Sequence, residues 1–450
     1  MLRALYDLGE KEPRVIVVGD DDQSIFAFRG SSSEYFQKFA DEFPNTEKFY
    51  LTTNYRSVSG LVRANAKLLD LMTERVKKDS VQYALNQGKA ELNFYEEKDK
   101  TIAAFIAAEI LSDKFSREPE ESYCVLTRDN AETFLAAAKL EEKQISYRLL
   151  KGRDKDKCPI EKTREVLGFC KILQEDPRVG KIPWSVKEFR ELAENYKLRH
   201  KKESTFELFD ALVDDFIEVE TACGENEITL GNFNQYLNEV SYSDFATKNI
   251  GGVSVGTMHS AKGLEWDNVI LALGSWNVKT VDAKNSQDNY RLLYVAATRA
   301  RKSLTVIGAE KTLPREWLSH FKHAGRVPNV KIPKILHIET GLGDIALGQY
   351  LKKNENSDIY VERLQKSLEK EPLGLSLSID LHMANGNYCI RQGNLYWAWF
   401  AKDFTSGLVK SLAKNVLIPQ RAILSQVVRW TSEEGQETWV PLFRLEFRRE

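Results

Sequence analysis

The sequence predicts an α/β fold: a wound parallel sheet, interrupted by a helical insertion and followed by a β-rich C-terminal domain. Three observations carry that prediction. Short β-branched runs alternate with segments of helical period over the first 150 residues, the alternation resumes near residue 253, and closely spaced strands take over beyond about residue 328. A chain of 450 residues is too long for one ordinary core and suggests roughly two to four domains. The expected blocks are 1–50, 51–156, 157–247, 248–328 and 329–450, with the second and fourth completing one sheet.

Taken in order, Arg14 to Val18 (RVIVV) reads as a buried parallel strand that ends in Gly19 and feeds the loop GDDDQS. Ser31 to Ser33 can cap a helix ahead of Tyr35, Phe36 and Phe39, and FYLTTNY from Phe49 reads as the next strand. Apolar residues at helical spacing run from Leu61 to Val76. The pattern continues with a strand at ELNFYEE, a helix over Ile102 to Leu111, a strand at YCVLT, a helix over Ala131 to Leu140 and a strand at SYRLL. From Lys157 to about Ala246 the periodicity is almost entirely helical. Strands at VSVGT and NVILALG, a helix over Tyr290 to Arg301 and a strand at LTVIGA complete the sheet. The last block offers YCIRQGNLYWAWF, AILSQVVRWT and TWVPLFRLEF as strands, with Gly and Asn between them. The aromatics of LYWAWF suit either a strand packed on both sides or a nucleic-acid platform, and core is the reading adopted.

Composition narrows the function less than the motifs do. Hydrophobic residues make up 42% and charged residues 29%, and no apolar run approaches the roughly 20 residues that span a bilayer. With no apolar signal core near the N-terminus, a cytoplasmic location without membrane partners is expected. Five scattered cysteines suit neither a disulfide framework nor a zinc knuckle, and no metal ligand set is expected on the chain. Net charge is only -2, so any nucleic-acid surface must be local.

Four stretches carry chemistry. In Gly19–Gly30, carboxylates and the Gln23 amide follow a strand, where α/β sheets contact phosphate, and Phe26, Phe28 and Arg29 can stack bases and take a phosphate. Taken alone, this would be a solvated turn beside core aromatics. In LTTNYRS, Tyr55 offers a flat face and Arg56 a fork of donors, although an ordinary capped junction would look similar. TMHSAKGLEWDNV gathers Thr257, His259, Lys262 and Glu265 in one tight loop, where each alone would be structural or solvated. LLYVAATRARK reads as a helix with Tyr294, Thr298 and Arg301 near one face and Arg299 beside them.

In this order the four stretches resemble helicase motifs III, IV, V and VI of the UvrD/Rep-type superfamily 1 DNA helicases, over about residues 14 to 310. The resemblance implies a RecA-like motor that binds ATP between two domains and single-stranded DNA across them, moving 3'-to-5'. By position it assigns γ-phosphate contact to Gln23, adenine stacking to Tyr55, and arginine fingers to Arg56 and Arg299. It sets Gly263 and Glu265 facing the nucleotide. Phe26, Phe28, Arg29, Thr257, His259 and Lys262 fall to the DNA side, with Phe28 where the family usually has Trp, at a cost in stacking area.

There is no G-x-x-x-x-G-K-[ST] and no D-E-x-Q before GDDDQ. The resemblance therefore implies that the phosphate cradle and the Mg2+ ligands belong to a missing N-terminal half or a larger parent polypeptide, and that the chain alone neither hydrolyses ATP nor unwinds DNA. The alternative is a non-catalytic single-stranded nucleic-acid or partner-binding module; a third reading is a remnant with an uncovered sheet edge. The helical segment holds the place of a regulatory insertion but is short, and the last block shows no nuclease carboxylate-lysine cluster.

Overall fold

The computed structural model describes residues 16–25, 46–73, 88–150, 158–199, 206–222, 227–240, 252–279, 283–324, 333–351, 355–382, 386–409 and 417–449, with a few isolated positions between them. Seven strands form the first large sheet: β1 (Glu91–Glu96), β2 (Tyr123–Thr127), β3 (Arg148–Leu150), β4 (Val253–Thr257), β5 (Trp266–Gly274), β6 (Ala300–Gly308) and β7 (Lys322–His323). Their order is β7-β1-β6-β5-β2-β4-β3, and every pairing is parallel. The interior strand β2 is buried at every residue, as a strand covered on both faces must be. Tyr123 and Val125 enter one core, while Cys124 and Leu126 enter the other.

Helices cover both faces. Helix α1 (Ser59–Leu69) buries Leu61, Ala64 and Leu68 on one side of the sheet. On the other lie α2 (Lys100–Arg117) and α3 (Asn130–Glu142). Their starts are written in the sequence: the Asp99 carboxylate accepts from the Ile102 N–H at 3.0 Å, and Asp129 with Glu132 forms a reciprocal capping box. Among the described residues between β3 and β4 lie the helices α4 (Arg164–Glu175), α5 (Val186–Arg199), α6 (Glu207–Ala222) and α7 (Leu230–Glu239). They close on an aromatic core in which Phe169 meets Phe209 edge-on at 5.3 Å and Phe216 meets Phe233 at 5.0 Å. Helix α8 (Ala283–Ala297) then packs beside α1 and leads into β6.

The C-terminal region is a six-stranded antiparallel sheet with one long helix among the described residues, α9 (Glu355–Lys370). Its strands are β8 (Ile335–Glu339), β9 (Ser376–His382), β10 (Asn387–Gln392), β11 (Leu395–Trp399), β12 (Leu417–Thr431) and β13 (Glu437–Arg449), ordered β8-β13-β12-β9-β10-β11. Trp397 and Phe443 share a core cluster with Phe105 and Leu135 of α2 and α3. Pro441 is tolerated inside β13 because β8 pairs only with Arg444 to Arg448 and so asks nothing of its missing N–H. A bulge opposite Ile390 and Arg391 breaks the alternation of β11. Trp397 and Phe400 are therefore buried, as the core reading requires, while Tyr396 and Trp399 stack at 5.4 Å on a half-buried face. The outer edge of β11 is closed by side chains: Gln349 accepts from Trp399 N–H at 3.1 Å and donates to the Trp397 carbonyl at 3.4 Å. The Tyr350 and Tyr360 hydroxyls take the Trp397 and Tyr396 carbonyls.

Three expectations need correction. Ile16 to Val18 join no sheet among the described residues, and Ile16 is 86% exposed. Of FYLTTNY, only Thr53–Asn54 pairs, in parallel with Tyr83–Ala84, and Leu51 is 93% exposed. Strand propensity needs a neighbouring strand to express itself, and among the described residues only Thr53–Asn54 has one. Finally, α8 ends at Ala297, so Thr298 and Arg299 form a turn and Arg301 belongs to β6. The Thr298 hydroxyl bonds back to the Tyr294 carbonyl at 2.9 Å, competing with continuation of the helix. The expected cap at Ser31 to Ser33 lies outside the described residues. No helix among the described residues is long and apolar enough to cross a membrane.

Candidate functional site

Four chain segments meet where α8 turns into β6. The first is the loop after Val18. The Asp20 carboxylate caps a single 3-10 turn, Asp21–Gln23, accepting from Asp22 N–H at 3.2 Å and from the Gln23 side-chain N–H at 2.6 Å. The carbonyl end of the Gln23 amide is thereby left to face Arg299. Asp22 is buried and bound at both oxygens by Arg75, at 2.8 and 2.7 Å. The carboxylates of Asp20, Asp21 and Asp22 lie within 4.8 Å of one another, but these contacts give Asp20 and Asp22 structural tasks.

The second segment is Asn54–Val58. The Asn54 side chain accepts from the Arg56 and Ser57 N–H groups at 3.0 and 2.9 Å, a local turn that holds the arginine. The Ser57 hydroxyl donates to the Ala300 carbonyl at 2.7 Å, and Val58 N–H donates to the Arg301 carbonyl at 3.0 Å. Arg56 points at Glu265, to which its Nε donates, and Tyr55 is left 73% exposed.

The loop Thr257–Glu265 is the third. Gly256 precedes it because a side chain there would come within 2.5 Å of Leu150 Cβ, and Gly263 turns at φ +89°, a conformation that favours glycine. Met258 and Ala261 are buried anchors, and Ser260 N–H bonds the Thr257 hydroxyl at 3.3 Å. His259 is half-buried. Lys262 is exposed yet donates to the Gln23 backbone carbonyl at 2.9 Å, linking this loop to the first.

Arg299 is the centre. It is 1% exposed, and its guanidinium donates to the Val295 carbonyl at 2.8 Å, the Leu264 carbonyl at 3.1 Å, Gln23 Oε1 at 3.1 Å and the Thr298 hydroxyl at 3.2 Å. All four acceptors are neutral. Burial, followed by the nearby charge of Arg56, draws its pKa down to about 10. Glu265 bridges Arg56 and Arg301; burial pushes its carboxyl up, but the two guanidiniums overcome this and hold it below the ordinary value. Arg56 and Arg301 thus share one carboxylate, and the charges of Glu265 and Asp20 act on Arg299 only at a distance.

Of the residues singled out in the sequence, Gln23, Arg56, Arg299, Glu265 and Lys262 are brought into one contact network, with Tyr55, Gly263, Thr257 and His259 on its loops. Phe26, Phe28 and Arg29 lie outside the described residues. Sequence reasoning missed Arg75, which comes 53 positions after its partner, and the place of Arg301, hidden by the helix expected there.

The model of the UvrD-like helicase C-terminal domain matches residues 49–154 and 170–311, more than half of the chain. The chain belongs to the UvrD-like helicase family. The UvrD/REP helicase N-terminal domain matches residues 1–44. Among curated relatives, the ATP-dependent DNA helicases PcrA of Staphylococcus epidermidis and Staphylococcus aureus are each 24% identical over 389 residues, covering 67% of this chain and 52% of their own length. The chain therefore spans about half the length of these relatives. A solved C-terminal domain of a possible DNA helicase from Lactobacillus plantarum aligns over 61% of this chain and 95% of its own, at 13% identity and a TM-score of 0.26, too low to carry an argument.

Proposed function

We propose that this UvrD-like chain supplies the arginine-bearing half of an ATP-dependent 3'-to-5' DNA helicase or translocase, with the phosphate cradle and the Mg2+ ligands contributed by a companion domain. The observation that supports this most is the buried Arg299 guanidinium, held by neutral oxygens beside Gln23 and under the charge of Arg56. A terminal phosphate offers the negative charge that these neutral acceptors lack. On this reading Gln23 contacts the γ-phosphate, Arg56 and Arg299 stabilise charge that develops during transfer, and Tyr55 stacks on the base. Fingers of this kind contribute on the order of 10³ or more in rate. Thr257, His259 and Lys262, with Phe26, Phe28 and Arg29, face single-stranded DNA. The Lys262 bond to the Gln23 carbonyl gives strand engagement a short route to the phosphate end.

The test is reconstitution. The chain is mixed with a candidate N-terminal half, and DNA-stimulated ATPase is measured before and after Arg299→Ala. The proposal expects activity only in the mixture and its loss in the variant. Robust ATPase from the chain alone, or turnover indifferent to Arg299→Ala, refutes it. Strand binding without turnover in any mixture favours a non-catalytic binding module.

A further inference from the structure

We infer that Arg301 is a positioning residue: it retains Glu265 when Arg56 leaves that carboxylate for an incoming phosphate. The inference rests on reading the site as one that binds phosphate.

The geometry divides Glu265 between two partners. Oε2 accepts from Arg56 Nε, and Oε1 accepts from Arg301 Nη2. Each guanidinium therefore has a single carboxylate oxygen. Without Arg301, both oxygens could turn to Arg56 and form the bidentate pair that is the stronger competitor for a phosphate. Arg301 keeps Arg56 loosely held.

A backbone irregularity puts Arg301 there. Ala300 pairs with Trp266 and Ser303 with Asn268, so two residues of β6 oppose one residue of β5. Such a bulge re-aims side chains beside functional sites. Arg301 turns to Glu265, and Lys302 turns to Glu121 at 2.7 Å and Asp267 at 3.3 Å. The same bulge holds the Arg56 segment, because Val58 N–H donates to the Arg301 carbonyl at 3.0 Å and the Ser57 hydroxyl to that of Ala300 at 2.7 Å. Both arginines and the carboxylate thus share one frame, in which the Arg56 side chain can change partner while its backbone stays fixed. The Arg301 pair is half-exposed and weak as a source of stability, so its effect acts through the orientation of Glu265.

The experiment titrates tripolyphosphate into the full chain at fixed ionic strength, reading affinity by calorimetry for the unaltered protein, Arg301→Ala, Glu265→Gln and the double variant. Circular dichroism melts check folding. Arg301→Ala is expected to weaken binding about five-fold while Glu265 is present, and to have little effect once Glu265→Gln has removed the competitor. Glu265→Gln alone should tighten binding. Arg301→Lys, which still reaches the carboxylate, should restore most of the affinity and covers the case in which Arg301→Ala folds poorly. Equal weakening with and without Glu265, or no effect of Arg301→Ala on an otherwise normal titration, overturns the positioning role alone. Failure of the unaltered chain to bind tripolyphosphate overturns the phosphate reading and this inference with it.

Discussion

Replacing Arg299 with methionine should make the protein more stable while abolishing its response to phosphate. Folding lowers the Arg299 pKa from its ordinary value to about 10, which at about 1.36 kcal/mol per unit opposes folding of the charged group by roughly 3 kcal/mol. The sign follows from proton binding. Between those two values the unfolded chain binds the extra proton, so the penalty is complete at neutral pH and is relieved only as pH rises through that window. Methionine keeps the length and apolar contacts but removes this donor from Gln23 Oε1 and the Val295 and Leu264 carbonyls; Val295 keeps the Thr298 hydroxyl at 3.0 Å, Gln23 is only half-buried and Leu264 is exposed, which holds the loss to roughly 1 to 2 kcal/mol. The net is a gain of about 1 kcal/mol, or about 2 to 4 °C for a cooperative unit of 150–250 residues. Melts of the two proteins, with and without tripolyphosphate, measure both effects. The anion should raise the transition of the unaltered chain only. If Arg299→Met melts several degrees lower instead, the neutral oxygens already compensate the charge, and the claim that this guanidinium awaits an anion fails.

Arg75→Met, which removes the guanidinium from both oxygens of the buried Asp22 carboxylate, should cost about 3 kcal/mol or more in urea unfolding, with partial recovery on adding Asp22→Asn. An unchanged midpoint would mean that water reaches Asp22. Gly256→Ala would force a methyl to within 2.5 Å of Leu150 Cβ and 2.7 Å of the Ser260 hydroxyl, so a loss of about 1 to 3 kcal/mol should appear as an earlier melt. His337 on β8 lies between Glu141 of α3 and Glu446 of β13, and the bond to Glu141, against burial, raises its pKa above 6.5. The stability it adds is full below pH 6.5 and is lost as pH rises through the raised value. The melting difference between the unaltered chain and His337→Gln should therefore be larger at pH 6 than at pH 8.5, and equal differences would deny the pairing.

The fold was legible where one signal sufficed. YCVLT is apolar at its first four positions and became the doubly covered β2, while the Asp99 and Asp129 starts of α2 and α3 follow from capping chemistry. The loops of the candidate site were legible as well, because Asn54, Arg56, Lys262 and Glu265 lie in short motifs at strand ends. What escaped notice depended on distant chain. RVIVV and FYLTT have strand composition, yet composition cannot supply a neighbour to pair with. Arg301 was placed on a helix face because LLYVAATRAR keeps helical spacing past the point where the Thr298 hydroxyl turns back. The Asp22–Arg75 pair and the split of Glu265 between two arginines are facts of tertiary register that no local window contains.

The closed edge of β11 decides how the C-terminal sheet behaves toward other polypeptides. An open outer strand is a template on which a second chain can continue the ladder. Here Gln349 imitates the missing neighbour with one amide group, the Tyr350 and Tyr360 hydroxyls take the Trp397 and Tyr396 carbonyls, and the Ala346 N–H takes the Trp399 carbonyl at 2.9 Å, so a visiting strand would have to displace three side chains and a backbone bond. Growth of the sheet stops at Trp399. Any partner that docks on this side must do so through side chains, by the stacked Tyr396 and Trp399 rings, and not by adding a strand.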